Sequence, residues 1–259
     1  MADLLDPDLE RRFGGLRRLH GDAAYQRLRN ARFAVVGLGG VGSWAVEALA
    51  RSGVAALTLI DLDQVSESNI NRQIQALGST VGMAKAEALR LRIADIHPGC
   101  AVQVIEEFVE PDNWPALIGG ATFDGLLDCC DQVRAKATLA AWARGLRLPF
   151  VTVGAAGGKR EPHRVQIDDL SATTHDPLLA SLRQRLRKHH GAPRAGRMDV
   201  ACVYSREPVQ LPQPAGEAAC EVDGSLNCQG YGSSVAVTAT FGLCAAAELQ
   251  RLHLARSSL

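Results

Sequence analysis

Short apolar runs alternate with helix-like segments along about the first 155 residues of the chain. The run at 33–36 is entirely apolar, which is typical of a strand buried on both faces of a parallel sheet. The other strands predicted here are 56–60, 102–105, 125–127 and 150–153, and the predicted helices are 22–30 (capped by Asp22), 43–52, 80–95 and 133–146. This alternation predicts an α/β fold with a doubly wound, mostly parallel Rossmann-like sheet.

The pattern changes after Gly158. Short strand candidates at 165–167 and 200–204 lie on either side of a polar helix around 177–190, which predicts a C-terminal extension of short strands and helices. The stretch 224–247 has no charged residue and is long enough to cross a bilayer. Its serine, threonine and glycine content favours a buried helix, and single-span or peripheral membrane association is the less favoured alternative.

Composition limits the class of protein. The chain has 259 residues, and its 28 Lys and Arg residues balance 28 Asp and Glu residues. This balance excludes a globally polybasic nucleic-acid binder, and the 47% hydrophobic content excludes disorder of the whole chain. The N-terminal sequence lacks the apolar segment of a secretory signal, and seven cysteines do not indicate a disulfide framework. We therefore expect a cytoplasmic protein with a single domain, 1–259.

A glycine-rich sequence lies between the first predicted strand and the helix that follows it. Gly37, Gly39 and Gly42 form the pattern G-x-G-x-x-G. Such glycines permit a tight turn and a close approach of phosphate to the backbone, and a helix N-terminus favours anionic oxygen. Asp61, at the end of the second predicted strand, matches the acid that binds a ribose. Together these residues predict a nucleotide site, which NAD, FAD or ATP could occupy.

Two cations further along the chain favour ATP over a dinucleotide. Arg72 lies in the sequence Asn-Ile-Asn-Arg-Gln at 69–73, and Lys85 lies in the helix predicted after it. Substitution at a triphosphate develops negative charge, which an Arg fork and a Lys point charge can stabilise. Either cation alone would be interpreted as a solvated surface residue. The pair is more informative because both residues follow the predicted ribose acid.

Asp131 is the candidate metal ligand. It follows the fourth predicted strand, at the carboxyl edge where open α/β sheets bind ligands. A hard carboxylate oxygen suits Mg²⁺, which usually takes one or two protein ligands together with phosphate and water. The alternative is that Asp131 or Asp128 caps the helix predicted at 133–146.

These residues together resemble the ubiquitin-activating-enzyme-like adenylyltransferases of the ThiF/MoeB fold. The matching features are Arg12-Phe13, the glycine loop, Asp61, the box at 69–73, Lys85 and Asp131. The resemblance implies that the chain binds ATP and Mg²⁺ and activates a carboxylate. It assigns ATP binding to Gly37, Gly39, Gly42, Asp61, Asp63, Asn71, Arg72 and Lys85. It assigns catalysis to Arg72, Lys85, Asp131 and Arg12, and it implies a homodimer in which Arg12 reaches the partner's ATP.

Departures from the sulfur-carrier adenylyltransferases indicate a particular branch. Gly15 stands where those proteins usually have a second Arg, and no C-x-x-C pair occurs, so no zinc is expected. Similarity to the tRNA threonylcarbamoyladenosine dehydratases extends over nearly the whole chain. The further residues that resemble this branch are Gly14, 154–158, Pro162, Asp169, Leu170, Thr173 and 176–178.

This second resemblance implies an activity. It is the ATP-dependent cyclisation of threonylcarbamoyladenosine beside the tRNA anticodon, with net loss of water and with either an acyl adenylate or an acyl phosphate as the activated form. The expected parts are an N-terminal helical arm (8–30), an ATP-binding core (31–158) and a tRNA-facing, dimer-forming elaboration (159–259). The expected partners are tRNA, a second copy of the chain and a protein of a cysteine desulfurase sulfur-transfer system, but not DNA.

Two alternatives remain open at this stage. One is an adenylyltransferase that activates the Gly-Gly tail of a ubiquitin-like sulfur carrier. The other is an adaptor that binds nucleotide and sulfur-transfer machinery without turnover. Cys228, His163 and His175 are interpreted as an unreactive thiol and hydrogen-bonding histidines outside the site.

A basic strip at 183–197 is the candidate tRNA contact. It has six cations and no carboxylate, namely Arg183, Arg185, Arg187, Lys188, Arg194 and Arg197. A charge run is usually a solvated helix face. Because the resemblance implies a tRNA substrate, we expect this strip to neutralise phosphates of the anticodon arm in a salt-dependent way.

Overall fold

The computed structural model describes residues 8–210 and 231–256, and within them one sheet organises the fold. Its strands are β1 (Arg32–Val36), β2 (Ala56–Ile60), β3 (Ala101–Ile105), β4 (Gly125–Asp128), β5 (Phe150–Val153), β6 (Val165–Asp169) and β7 (Ala201–Ser205). The strand order is β3-β2-β1-β4-β5-β7-β6. All neighbouring pairs are parallel except β6 and β7, which are antiparallel. The predicted α/β fold with a mostly parallel sheet is confirmed.

Helices cover both faces of this sheet. They are α1 (Leu9–His20), α2 (Asp22–Asn30), α3 (Gly42–Arg51), α4 (Lys85–Ile96), α5 (Val133–Gly145), α6 (Pro177–His189) and α7 (Val235–Ala255). Successive side chains of a strand point to opposite faces, so Phe33 and Val35 pack with α3, α4 and α7, while Ala34 and Val36 pack in the cluster that contains α5 and α6. Burial on both faces explains why the run at 33–36 contains no polar residue.

The predicted start of one helix and the predicted cap of another were wrong. Helix α4 begins at Lys85 rather than at residue 80, because the backbone NH of Gly82 donates to Val65 and holds residues before Lys85 in a turn. Gly82 has a φ of +86°, which does not continue a helix. Asp22 does not cap α2, because Gly21 occupies the N-cap position.

The later part of the uncharged stretch at 224–247, which was predicted to form a buried helix, lies in helix α7. It packs closely on α3, since a Cβ on Gly242 would overlap the carbonyl oxygen of Val41 and lie 2.8 Å from Cβ of Trp44. The helix begins at Val235 and continues to Ala255, and residues 224–230, including Cys228, lie outside the described residues. Among the helices that are described, none is long and apolar enough to cross a bilayer.

The N-terminal helices pack against the C-terminal end of α4. Phe13 is buried with its ring edge against His97, at a centroid distance of 4.8 Å. Arg12 donates through Nη1 to the carbonyl oxygens of Asp95 and Ile96, at 2.8 and 2.7 Å. Nη1 of Arg29 lies 3.2 Å from Nε2 of His97. Burial, together with the charges of Arg29 and Arg12, lowers the pKa of His97, so this imidazole is held neutral among cations.

Acidification should loosen this contact. The pKa of His97 is lower in the folded protein than in the unfolded chain, so the unfolded chain binds the proton more readily, and stability is lost as the pH falls below about 6.5. The His97→Gln variant should lose less free energy of unfolding than wild type between about pH 7.5 and about pH 5.5. Urea denaturation at both pH values measures this, with His163→Gln at an exposed histidine as the control. An equal loss in wild type and His97→Gln would contradict the assignment.

Candidate active site

The carboxyl edge of the sheet brings together residues that are far apart in the sequence. The glycine loop follows β1, Asp61 follows β2, Asp131 lies shortly after β4 and Gly154 follows β5. Strands β2, β1, β4 and β5 are consecutive in the sheet. The direction of the strand connections reverses between β1 and β4, which is where doubly wound sheets form a ligand crevice. The predicted nucleotide residues therefore converge on one edge.

The glycine loop has almost no space for side chains except at one position. Gly37 has a φ of +84°, and a Cβ there would lie 2.7 Å from the backbone nitrogen of Cys130. A Cβ on Gly42 would overlap the carbonyl oxygen of Gly37. Around a Cβ on Gly39 the nearest atom is Nε2 of Gln73, at 4.0 Å. Gly37 and Gly42 thus permit the turn, whereas Gly39 leaves room for a phosphate to approach the backbone, and the loop fits ATP.

Asp61 holds the start of this loop. Its Oδ2 accepts from the backbone NH of Leu38 at 2.6 Å, and its Oδ1 accepts from that of Asp63 at 2.9 Å. Burial raises the pKa of Asp61, although the charge of Lys85 acts in the opposite direction. Lys85 is itself buried and donates to Oδ2 of Asp63 at 2.6 Å. The acid and the cation predicted from the sequence are therefore joined through Asp63.

The box at 69–73 is fixed by α3 and α7, two helices that are far apart in the sequence. The carbonyl oxygen of Arg72 accepts from Nε1 of Trp44 in α3 at 3.0 Å and from Oγ1 of Thr238 in α7 at 3.2 Å. Nη1 of Arg72 donates to Oδ1 of Asn71 at 3.0 Å, and Nδ2 of Asn71 donates to the carbonyl of Ser233 at 2.9 Å. Sequence analysis missed Trp44 and Thr238, because neither residue has a chemical signature before the helices are packed.

A buried ion pair below the β4–α5 loop was also missed. Asp128 accepts from Nζ of Lys136 at 3.1 Å, Oγ1 of Thr152 at 2.6 Å and the backbone NH of Cys130 at 3.2 Å. Both charged side chains have an exposure of 0%. Burial disfavours the ammonium, but the charge and hydrogen bond of Asp128, together with the neighbouring sulfurs of Cys130 and Cys129, raise the pKa of Lys136. The pair fixes the start of the loop that contains Asp131.

The alternative role predicted for the two aspartates, helix capping, was wrong. The N-cap of α5 is Gln132, and no side chain caps the helix. Within residues 8–210 and 231–256, the carboxylate of Asp131 has no hydrogen bond or ion pair. Such a carboxylate fits Mg²⁺, which needs few protein ligands when phosphate supplies others. No group of three metal-ligating side chains occurs in the described part of the chain, so the magnesium role of Asp131 stays a prediction.

Arg12 lies away from the nucleotide site of its own chain. It contacts the last residues of α4, whereas Lys85 begins that helix, and a 12-residue helix is about 18 Å long. The contact geometry therefore does not bring Arg12 to the glycine loop of the same chain. Its predicted role at the partner's ATP stays a prediction.

The motifs of the second half shape the loop after β5. Asp176 caps α6 by accepting from the backbone NH of Leu179 at 3.0 Å, and its other oxygen accepts from that of Ala155 at 2.9 Å. A Cβ on Gly154 would overlap this carboxylate. Asp169 accepts from the backbone NH groups of Met198 and Val200. Asp176 is thus buried scaffolding beside the site, whereas Asp169 pairs in register with Ala201 at the start of β7 and lies at the opposite edge of the sheet.

The basic strip does not form one uniform surface. Nη1 of Arg183 donates to the carbonyls of Leu170 and Thr173, and Nε of Arg187 donates to the carbonyl of Pro193. Nη2 of Arg197 lies 3.9 Å from Oδ2 of Asp169, and its Nε lies 3.7 Å from Oδ1 of Asp199. The remaining cations make no such contact to described residues; they are Arg185, Lys188 and Arg194. Half of the strip is therefore engaged by the protein itself, and its predicted contact with tRNA stays a prediction.

Two cavities lie outside the nucleotide crevice. One, of about 700 Å³, is lined by Phe150 and Ala201, which begin β5 and β7, so it lies at the opposite edge of the sheet. The other, of about 350 Å³, lies beside the first turns of α6 and includes Asp176. Only the second is next to the edge that contains the predicted site.

The fold and this site define the class of protein. The chain belongs to the ThiF family, whose model matches residues 11–257. It is 42% identical over 266 aligned residues to the tRNA threonylcarbamoyladenosine dehydratase of Escherichia coli strain K12, covering 100% of this chain and 99% of that protein. The protein of the same name from Haemophilus influenzae is 40% identical over 243 residues, covering 93% and 92%. The molybdopterin-synthase adenylyltransferase of Salmonella typhimurium is 38% identical over 131 residues, covering 51% of each.

Solved structures show the same relation. The E. coli tRNA N6-threonylcarbamoyladenosine dehydratase in complex with ATP has a TM-score of 0.86 to this chain, with 42% identity and 96% coverage of both chains. The same E. coli protein in complex with AMP has a TM-score of 0.85, with 96% of this chain and 97% of that chain covered. The similarity therefore extends beyond the nucleotide core to the C-terminal half.

The glycine loop generates a test that separates folding from ligand binding. Gly39→Ala should change the free energy of unfolding by less than about 1 kcal/mol, because its Cβ meets no close atom. The same variant should bind ATP about tenfold or more weakly, since the methyl group occupies the space that a phosphate needs. Urea denaturation and isothermal titration with ATP measure the two effects. Gly42→Ala is the matched control and should lower both stability and affinity; normal ATP affinity of Gly39→Ala would contradict the phosphate role.

Proposed function

We propose that this chain is an ATP-dependent tRNA threonylcarbamoyladenosine dehydratase. The observation that supports this most directly is the extent of the similarity: 42% identity over 100% of the chain to a protein of that name. The sulfur-carrier alternative is supported over 51% of the chain by the Salmonella relative. Because the nucleotide core is common to both classes, the C-terminal half distinguishes them, and it matches the dehydratases.

The residues at the sheet edge have separate tasks. The opening at Gly39 receives phosphate against backbone NH groups, and Asp61 supports the first turn of the loop and binds the ribose. Lys85 and Arg72 supply positive charge that strengthens its interaction as negative charge develops on the phosphate oxygens. Lys85 is buried, which increases the electrostatic effect of its charge. We assign catalysis to these two cations and to Asp131.

The reaction overcomes a poor leaving group. A carboxylate oxygen is a poor leaving group. When ATP transfers its AMP group to that oxygen, the oxygen can leave as part of AMP. The threonyl carboxylate attacks the α-phosphorus and releases pyrophosphate. The carbamoyl oxygen then attacks the acyl carbon, which forms the ring, releases AMP and a proton, and leaves the former carboxylate oxygen on AMP. Because both reacting groups belong to one nucleoside, proximity favours closure without a covalent enzyme intermediate.

Magnesium is part of this proposal. The support is the carboxylate of Asp131, which has no partner among the described residues and follows the strand next to β1. Asp131 would hold the ion with one or two oxygens, leaving other positions to phosphate and water, and the ion would neutralise phosphate charge. We also propose a cytoplasmic location, in keeping with a tRNA substrate. A sulfur-transfer partner has support only from the resemblance found in the sequence.

A direct assay tests the function. Protein, ATP, Mg²⁺ and tRNA that contains threonylcarbamoyladenosine are incubated, and the nucleosides are analysed by mass spectrometry. The expected result is loss of the mass of one water from the modified nucleoside, with AMP and pyrophosphate as products. Lys85→Met should be slower by about 10²-fold or more, because it removes charge stabilisation from the transition state. Arg90→Met removes a half-buried cation of the same helix, which is paired with Glu87, and is the matched control.

Each outcome of this assay has a distinct meaning. No mass change at saturating ATP would overturn the dehydratase proposal. Dehydration with ADP and phosphate as products would retain it but replace the adenylate by an acyl phosphate. Equal activity of Lys85→Met and wild type would remove Lys85 from the catalytic residues.

A homodimer with shared sites makes a specific prediction for Arg12. The Arg12→Ala and Lys85→Met proteins should each have at most about a hundredth of wild-type activity, because each lacks one residue in both sites. When the two chains are co-expressed, half of the dimers combine one chain of each kind, and each of these has one intact site. About a quarter of wild-type activity should therefore return in the mixture. No recovery would show that Arg12 does not act across the dimer; separately tagged chains confirm that mixed dimers form.

A further inference from the structure

A cavity of about 350 Å³ beside α6 contains an arginine held in place before any ligand arrives. Its walls are the loop at 173–177, the sides of Ala180 and Arg183 in α6, and residues 208–209 after β7. Pockets of this size accept a small group such as a phosphate or part of a nucleotide. None of the residues assigned to ATP binding or catalysis lines this cavity.

Arg183 is fixed through one of its three guanidinium nitrogens. Nη1 lies 3.0 Å from the carbonyl of Leu170, 2.9 Å from the carbonyl of Thr173 and 3.0 Å from Oγ1 of Thr173. Nε and Nη2 have no hydrogen-bond partner within residues 8–210 and 231–256. Neither of these atoms is completely buried, and the side chain of Arg183 lines the cavity. The guanidinium is therefore anchored through one nitrogen, and its two other nitrogens can donate to an oxyanion as a planar fork.

The surrounding groups favour an anion in the same place. His175 has a φ of +58°, and the Oγ1 of Thr174 lies 2.9 Å from its Nδ1. Beneath them, the buried ammonium of Lys159 lies 3.4 Å from the carbonyl of His175. Asp176 also lines the cavity, but both of its oxygens accept from backbone NH groups. The wall therefore has one cation, Arg183, and one carboxylate whose oxygens are already engaged, while the ammonium of Lys159 lies behind the wall.

The cavity lies on the β5 side of the nucleotide site. Asp176 joins it to the loop after β5 by accepting from the backbone NH of Ala155. Strand β5 is two places from β1 in the sheet, and neighbouring strands are about 4.8 Å apart. Arg183 is six residues into α6, about 9 Å along the helix from its start. This position is beside the crevice rather than inside it.

We propose that this cavity binds one phosphodiester group of the tRNA anticodon arm, with Nε and Nη2 of Arg183 as the donors. The proposal rests on the proposed function and adds a site to it. The substrate's own carboxylate does not fit here, because it must reach the α-phosphate in the glycine-loop crevice. A backbone phosphate near the modified nucleoside can occupy the cavity while that nucleoside lies in the crevice. In this arrangement Arg183 has a separate role from the exposed cations of the strip.

Neighbouring exposed positions in α6 provide a matched test. Ala180 lines the cavity, whereas Ser181 is exposed on the same helix and does not line it. Ala180→Glu and Ser181→Glu change the net charge equally and leave the contacts of Arg183 in place. The probe is an anticodon stem-loop RNA that contains threonylcarbamoyladenosine. Binding is measured by fluorescence anisotropy over a range of salt concentrations, without turnover.

The cavity variant should be affected far more than its neighbour. Ala180→Glu should weaken RNA binding about tenfold, the effect of one lost charge-assisted hydrogen bond, and lower the salt slope by about one. Ser181→Glu should stay within about twofold of wild type. Equal effects of the two variants would overturn the proposal. Ala180→Lys should bind at least as well as wild type, and weakening by Lys equal to that by Glu would show steric obstruction and overturn it too.

Two further experiments identify the chemical group that supplies the anion. A series of stem-loops is prepared in which each member has one phosphate replaced by an uncharged methylphosphonate. Replacement at one position should weaken wild-type binding about tenfold. At that position wild type and Ala180→Glu should bind equally. Absence of any such position would contradict a phosphodiester. Binding of the free threonylcarbamoyladenosine nucleoside should be the same in both proteins, and a tenfold loss there would assign the cavity to the carboxylate instead.

Failure of this proposal and failure of the proposed function are distinguishable. All variants should retain wild-type ATP affinity and thermal unfolding, which shows that they are folded. If wild type dehydrates the tRNA but Ala180→Glu binds RNA normally, only the cavity proposal is overturned. If wild type binds the stem-loop and shows no dehydration, the function is overturned while the phosphate site still stands.

Discussion

The contact between the glycine loop and the β4–α5 loop is the constraint on which the site depends. Gly37 lies so close to Cys130 that no Cβ fits, and a Cβ on Gly42 would overlap the carbonyl oxygen of Gly37. Asp61 then binds the backbone of the loop from the neighbouring strand. This packing keeps the backbone at Gly39 open, and it holds the loop that contains Asp131 next to the same crevice. An accessible phosphate site is a consequence of this packing.

Buried charges position the groups that act on substrate. The fully buried side chains of Lys136 and Asp128 form an ion pair below the β4–α5 loop. Lys85 forms an ion pair with Asp63 at the carboxyl edge of the sheet. Removing one member of a buried pair leaves an uncompensated charge, so such pairs hold a loop in one arrangement. Arg183 is held in a similar way by backbone carbonyls. Lys85 and Arg183 are thus oriented by the protein in advance of any ligand, whereas the Lys136–Asp128 pair fixes the loop that contains Asp131.

Much of the fold could be predicted from the sequence, and the site could be predicted in part. The strands and the glycine loop were found because apolar runs and glycine spacing are local signals. The start of α4 was not, since it depends on hydrogen bonds between Gly82 and Val65, which are not neighbours in sequence. Trp44 and Thr238 were missed for the same reason: their contacts with Arg72 exist only after α3 and α7 pack together.

The sequence by itself determined the fold class, the nucleotide loop and the chemical types at the site, because these depend on residue identity and short spacing. The tertiary structure decided which cations are available. Arg183 and Lys188 look equivalent in the basic strip, yet Arg183 is bound to carbonyls at the wall of a cavity and Lys188 is exposed. It also placed Arg12 at the end of α4 distant from Lys85. Charge can be counted along a chain, but its partners and its surroundings are set by packing between distant segments.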